Sequence, residues 1–185
     1  MKAIGALLAG GRSHRMGTDK ALLPVGTGTL LDHMTAKLRA LDLAEVVVCR
    51  AAPGCIADRV AGQGPLGALH SLSHHYPGRD LLVVPVDMPL LTTATLAALL
   101  TAGSALSRPR HYEGYLLPLW LPLSPAAIRA IETRVTDSAA DRSLAALLRD
   151  LSAEALPLHG PEAEFANINT PAEWEFIVRQ LPVPG

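Results

Sequence analysis

The chain has few aromatic side chains, 4% of its 185 residues, and only two cysteines. With so few large rings, a 49% hydrophobic content must build its core from Leu, Ala and Val, which suits helices packed on a sheet. Cys49 and Cys55 do not form a C-x-x-C pair and have no His partners at zinc-finger spacing, so they read as ordinary thiols. A net charge of −1 provides no global field to hold nucleic acid or an acidic membrane, so any basic site must be local. No run approaches the roughly 20 apolar residues of a membrane span. The N-terminal apolar run is broken at once by Gly10, Gly11 and Arg12, unlike a secretory leader. A single cytoplasmic domain with no membrane or nucleic-acid partner is the expectation.

Two common phosphate loops are also missing. A P-loop needs Lys directly after its second Gly, whereas Gly17 is followed by Thr18, Asp19 and only then Lys20. The G-x-G-x-x-G of a dinucleotide fold is absent after the first apolar run. That run, Ala3 to Ala9, reads as a buried strand that feeds Gly10 and Gly11, then Arg12, Arg15 and Lys20. Adjacent glycines let successive amide N–H groups face one anion, and the cations add charge, so a polyphosphate is the indicated ligand.

The remaining chain alternates strand and helix signals. Positions 30–41 have helical apolar spacing, with Thr29 as N-cap and Asp32 in the first turn; 45–49 is a β-branched strand. Together with the first strand they make a βαβ unit, which forces parallel pairing. Positions 50–64 form a long loop with Asp58, and Pro65 opens a helix over 66–75. His70, His74 and His75 on that helix are expected on a solvated face, because no third metal ligand lies at a recognisable offset. Positions 81–86 are near-continuously apolar and predict a central strand, closed by Asp87. A carboxylate there overlooks the same edge as the glycine loop, where a Mg²⁺ ion on phosphates needs a ligand. Helices are predicted over 92–102, 125–135 and 143–151, with Gly103 as a stop signal. Positions 108–112 are polar and basic, while 116–123, with Pro118 and Pro122, predict an edge strand or irregular segment. A small strand is expected over 156–159. Thr170, Pro171 and Glu173 make a capping box for a last helix to about position 181.

The string LAGGRSHRMGTDKALL resembles the N-terminal signature of nucleotidyltransferases typified by the molybdenum cofactor guanylyltransferases, L-A-G-G-x-S-x-R-M-G-x-D-K, and has every fixed letter. Asp58 with Gly64-Pro65-Leu66-Gly67 resembles the family's second motif, Asp87-Met88-Pro89 its D-x-P, and Gly114 to Leu119 its G-x(3)-P-L. Asn167-Ile168-Asn169-Thr170-Pro171-Ala172-Glu173 resembles its N-x-N-T-P-x-E.

The resemblance implies a single-domain three-layer α/β/α fold with a mostly parallel, Rossmann-like sheet of the nucleotide-diphospho-sugar transferase type. Positions 1–103 would bind nucleotide, 104–181 the acceptor, and 182–185 form a tail. It further implies transfer of GMP from GTP to the terminal phosphate of molybdopterin, with Mg²⁺ as cofactor and transient contact with proteins of molybdenum cofactor biosynthesis. Leu8, Ala9, Gly10, Gly11, Arg15, Lys20, Asp58 and Asp87 would bind the nucleotide. Arg15, Lys20 and Asp87 would be catalytic, Asp87 the metal ligand, and Pro118, Leu119, Asn167 and Asn169 would frame the acceptor. The family's Asn after the second strand is missing, because Arg50, Ala51 and Ala52 carry no side-chain amide, which leaves guanine recognition open. Cytidylyl relatives tend to show L-A-A-G where this chain has Leu8-Ala9-Gly10-Gly11, which favours guanine. A molybdopterin cytidylyltransferase or another small-phosphate nucleotidyltransferase, and a non-catalytic nucleotide-binding sensor, remain as alternatives.

Overall fold

The computed structural model describes residues 1–10 and 19–181. Gly11 and Arg15, both expected at the phosphate site, lie outside the described residues, as does the 182–185 tail. The elements in chain order are β1 (Ile4–Leu8), a one-turn 3₁₀ helix (Lys20–Leu22), the hairpin β2 (Pro24–Val25) and β3 (Gly28–Thr29), α1 (Leu30–Arg39) and β4 (Glu45–Cys49). They continue with α2 (Pro65–His75), β5 (Asp80–Pro85), α3 (Thr93–Ser104), β6 (Arg110–Tyr112) and β7 (Leu119–Pro122). Last come α4 (Pro125–Thr136), α5 (Leu144–Asp150), β8 (Glu154–Leu156), a short 3₁₀ helix (Glu162–Phe165) and α6 (Pro171–Val178).

One six-stranded sheet, ordered β4-β1-β5-β7-β6-β8, runs through both halves of the chain. β1 is parallel to β4 and β5, and β6 is parallel to β8; only β7 runs against its neighbours. Side chains alternate between two apolar layers, as a strand buried on both faces requires. Leu7, Leu82, Val84 and Trp120 face α1, α3 and α6. Ile4, Ala6, Leu81, Val83, Leu119 and Leu121 face α2, α4 and α5. The expected three-layer α/β/α architecture is therefore present.

Local signals placed most helix starts well. Thr29 and Asp32 close a reciprocal capping box on α1, and Thr170 and Glu173 do the same on α6. Two expectations need correction, and a segment without a predicted element holds a strand. The 116–123 segment is not an edge: β7 sits between β5 and β6, and its prolines are tolerated because Pro118 precedes the paired residues and Pro122 ends them opposite Asp80. The polar 108–112 stretch contains β6, with Tyr112 buried and Arg110 paired to Glu154 of β8 at 2.7 Å. Gly103 lies within α3 instead of ending it, because Trp120 packs on its backbone; a Cβ there would sit 2.2 Å from Trp120 Cγ.

Candidate functional site

β1 and β5 lie side by side in register, Leu8 opposite Pro85, so the residues after them emerge at one edge of the sheet. Val86 N–H donates to the Leu8 carbonyl at 2.9 Å and Ala9 N–H to the Cys49 carbonyl at 3.0 Å, which ties the three strand ends together. The chain leaving β1 reaches α1 on one face, while the chain leaving β4 reaches α2 on the other. Connections that diverge in this way open a crevice at the carboxyl ends of the strands. Gly10 lines it against β4, 3.4 Å from the Cys49 carbonyl oxygen measured from the Cβ position it lacks.

Asp19 shapes the return of the chain. Its carboxylate accepts the Ala21 N–H at 3.0 Å and pairs with Arg50 at 2.7 Å, which starts the 3₁₀ turn and aims Lys20 into the crevice. Lys20 Nζ donates to Asp87 Oδ2 at 3.1 Å and to Asn169 Oδ1 at 3.0 Å. Asn169 is itself held from three sides. Ile168 N–H donates to the Asp87 carbonyl at 2.9 Å. The Asn169 and Thr170 N–H groups share Glu173 Oε2 at 2.7 and 2.8 Å. Those bonds keep the Glu173 carboxyl below the usual range.

This cluster presents a cation between two oxygen acceptors at the end of a central strand. Asp87 and Asn169 are hard oxygen donors already converging on one positive centre, and such a set fits Mg²⁺, which takes one or two protein carboxylates and completes its shell with water and phosphate. Asn167 makes no described hydrogen bond to the cluster; it lines a cavity of about 210 Å³ with Leu90, Glu173 and Phe176. A larger recess of about 610 Å³ lies between α4 and α5, lined by residues such as Arg134 and Asp150, and shares no residue with the cluster.

Asp58 stands on the loop after β4, packed on the first turn of α2, where Gly67 is required: a Cβ there would lie 2.9 Å from Asp58 Oδ2. Partial desolvation raises the Asp58 carboxyl. No described hydrogen bond or ion pair joins it to Lys20 or Asp87. Burial first, then the Asp58 charge, push the neighbouring Cys49 thiol up to about 12, so it is no nucleophile. Pro118 and Leu119, expected beside the acceptor, are both buried, Leu119 with 0% exposure in the sheet core.

Two supports were not anticipated. His33 and Lys37, one turn apart on α1, reach the loop that follows Asp87. Lys37 Nζ donates to the Pro89 and Leu91 carbonyls, each at 2.6 Å, and burial brings its ammonium down to about 8. Glu164 accepts from the Thr92 hydroxyl at 3.0 Å, locking the start of α3 to the 3₁₀ turn before Asn167. The i, i+4 pair on α1 is a visible signal, but its target carbonyls are more than fifty residues away.

A profile for a MobA-like NTP transferase domain matches residues 5–155. The molybdenum cofactor guanylyltransferase of Xanthomonas euvesicatoria pv. vesicatoria is 40% identical over 182 residues, 96% of this chain and 95% of its own. Among solved structures, a molybdopterin-guanine dinucleotide biosynthesis protein A from Archaeoglobus fulgidus shares the fold at TM-score 0.78 with 18% identity, covering 96% of this chain and 97% of that one. Rv0371C of Mycobacterium tuberculosis H37Rv, solved in complex with manganese, superposes at TM-score 0.67 with 17% identity, covering 98% of this chain and 100% of its own. The chain belongs to the MobA-like NTP transferase family.

Proposed function

We propose that the protein transfers GMP from GTP to the terminal phosphate of molybdopterin, releasing pyrophosphate and forming a guanine dinucleotide. The observation that carries this reading is Lys20 Nζ bridging Asp87 and Asn169, three segments far apart in sequence, at 3.1 and 3.0 Å. In the proposed reaction an acceptor phosphate oxygen, already ionised at neutral pH, forms a bond to the α-phosphorus of GTP. The bond from that phosphorus to the β-phosphate bridging oxygen breaks, and the electron pair leaves with pyrophosphate. Such a step demands placement and charge neutralisation instead of proton abstraction, so no catalytic base is needed.

Each side chain then has a task. Lys20 holds the α-phosphoryl or pyrophosphate oxygens, and Asp87 holds Mg²⁺, which supplies further charge neutralisation on the phosphates. Leu8, Ala9 and Gly10, with Gly11 and Arg15, line the triphosphate. Asp58, on the loop flanking the crevice, approaches the nucleoside. Asn167 and Asn169 border the acceptor, and the backbone at Pro118 contributes from the end of β7. Arg50, at the position of the missing amide, pairs with Asp19 at 2.7 Å. The reaction is set in the cytoplasm, where free thiols such as Cys49 and Cys55 persist. Among the described residues no helix is long and apolar enough to cross a membrane.

The test is pyrophosphate release with GTP, CTP or ATP in the presence of molybdopterin and Mg²⁺. Release with GTP above the other two is the expected result. Preference for CTP would reassign the base, and tight GTP binding without release would turn the protein into a sensor.

A further inference from the structure

Of the three α2 histidines expected on a solvated face, His74 and His75 are exposed and His70 is not. His70 is only 4% exposed, and α4, packed beside α2, delivers Glu132 to the same place. His70 Nε2 lies 2.7 Å from Glu132 Oε2 and 3.2 Å from His74 Nε2, and His74 Nε2 lies 3.5 Å from the same carboxylate oxygen. Sequence spacing shows only the i, i+4 pair; the third ligand comes from 62 residues away.

These three lone-pair atoms describe a compact triangle. Bonds of about 2.0–2.1 Å in a tetrahedral zinc site separate ligand atoms by about 3.3–3.4 Å; the 3.2 and 3.5 Å edges are close to that, and the 2.7 Å His70–Glu132 edge must open to receive an ion. Glu132 can accept from both imidazoles, but the 3.2 Å His70–His74 contact then sets two N–H groups against each other with no lone pair between them. His70 Nδ1 has no partner among the described residues, so the ring makes its polar contacts through Nε2 alone. The imidazoles meet edge to face at 87°, and the side chains of His74 and Glu132 are 43% and 46% exposed, leaving the outer side of the triangle open to water.

We propose that His70, His74 and Glu132 bind a divalent transition-metal ion of the zinc class, with water in the fourth position, and that this ion ties α2 to α4. Two imidazole nitrogens and one carboxylate oxygen select zinc, cobalt or nickel over magnesium, so the ion is distinct in kind from the one Asp87 would hold. It is also separate in place. His74 is seven residues beyond Gly67, about 10 Å along the helix from the turn that packs on Asp58. The ion therefore braces the helical layer and takes no part in phosphoryl chemistry.

Untagged protein stripped with a chelator and titrated with Zn²⁺ or Co²⁺ tests the assignment. Free Zn²⁺ at about a hundredfold excess over Kd should raise Tm by about 5–10 °C. Co²⁺ should give the strong visible absorption of a tetrahedral centre, and Mg²⁺ should do neither. His74→Ala and Glu132→Gln should each abolish both signals, while a Cys55→Ser control keeps them. Both substituted side chains are half-exposed, so the stripped variants should melt near the stripped parent. An unchanged Zn²⁺ shift in either variant, or no saturable Co²⁺ spectrum in the parent, would overturn the proposal.

Discussion

Replacing Lys20 with Met removes one ammonium and keeps the aliphatic stem. The lost contacts are those to Asp87 Oδ2 at 3.1 Å and Asn169 Oδ1 at 3.0 Å, and the Lys20 and Asp87 side chains are 17% and 26% exposed. Both acceptor residues keep access to water, so the folded state should lose no more than about 1 kcal/mol. At this chain length that is about 2–4 °C in Tm. The reaction should lose far more. A preorganised charge aimed at the transferring phosphoryl group contributes about 3–4 kcal/mol of barrier, so turnover should fall by roughly two to three orders of magnitude. Pyrophosphate release from GTP with Mg²⁺ and molybdopterin, run beside a thermal melt, reads both quantities. Adding Asp87→Asn should cost less than the product of the single losses, because the two side chains act on one triphosphate. Turnover of Lys20→Met within about threefold of the parent would refute the catalytic reading. So would losses that simply multiply, since the two groups would then act independently.

Two further outcomes follow from packing and burial. Gly103→Ala would drive a Cβ to 2.2 Å from Trp120 Cγ, so α3 must shift off β7; a loss of about 3 kcal/mol is expected, seen as a Tm lower by about 6–12 °C, and an unchanged melt would contradict the packing. Lys37→Met leaves the Pro89 and Leu91 carbonyls without their donor and should cost about 1–3 kcal/mol. Burial, only partly offset by Glu164, holds the Lys37 ammonium at about 8 against an ordinary 10.5. Between those values the unfolded chain binds the proton and the folded chain does not, so unfolding free energy should climb with pH in the parent and not in Lys37→Met. Urea melts of the two proteins across that interval check the sign.

What was legible in the sequence was what neighbouring residues decide. The apolar run of β1, the near-continuous apolar run that buries β5 on both faces, and the capping boxes at Thr29 and Thr170 all act within a few residues, so their chemistry is written consecutively. Lys20, Asp87 and Asn169 were each identified as site residues from local patterns and from a family resemblance. Their joining into one cluster spans separations of 67 and 149 residues and depends on β1 and β5 ending at one edge and on Ile168 docking on the Asp87 carbonyl.

Only the tertiary structure decided the rest. Leu119 looks available to a ligand in a proline-broken segment, yet β5 and β6 flank that segment and remove it from solvent. Gly103 reads as a helix stop until Trp120, a strand away, shows why no side chain fits there. His70 and His74 are an ordinary pair on one helix until α4 brings Glu132 between them. Residue pattern settles local conformation because backbone hydrogen bonds and side-chain periodicity operate over a turn or a strand. Burial and coordination depend on which distant surfaces meet, and that depends on how the layers pack.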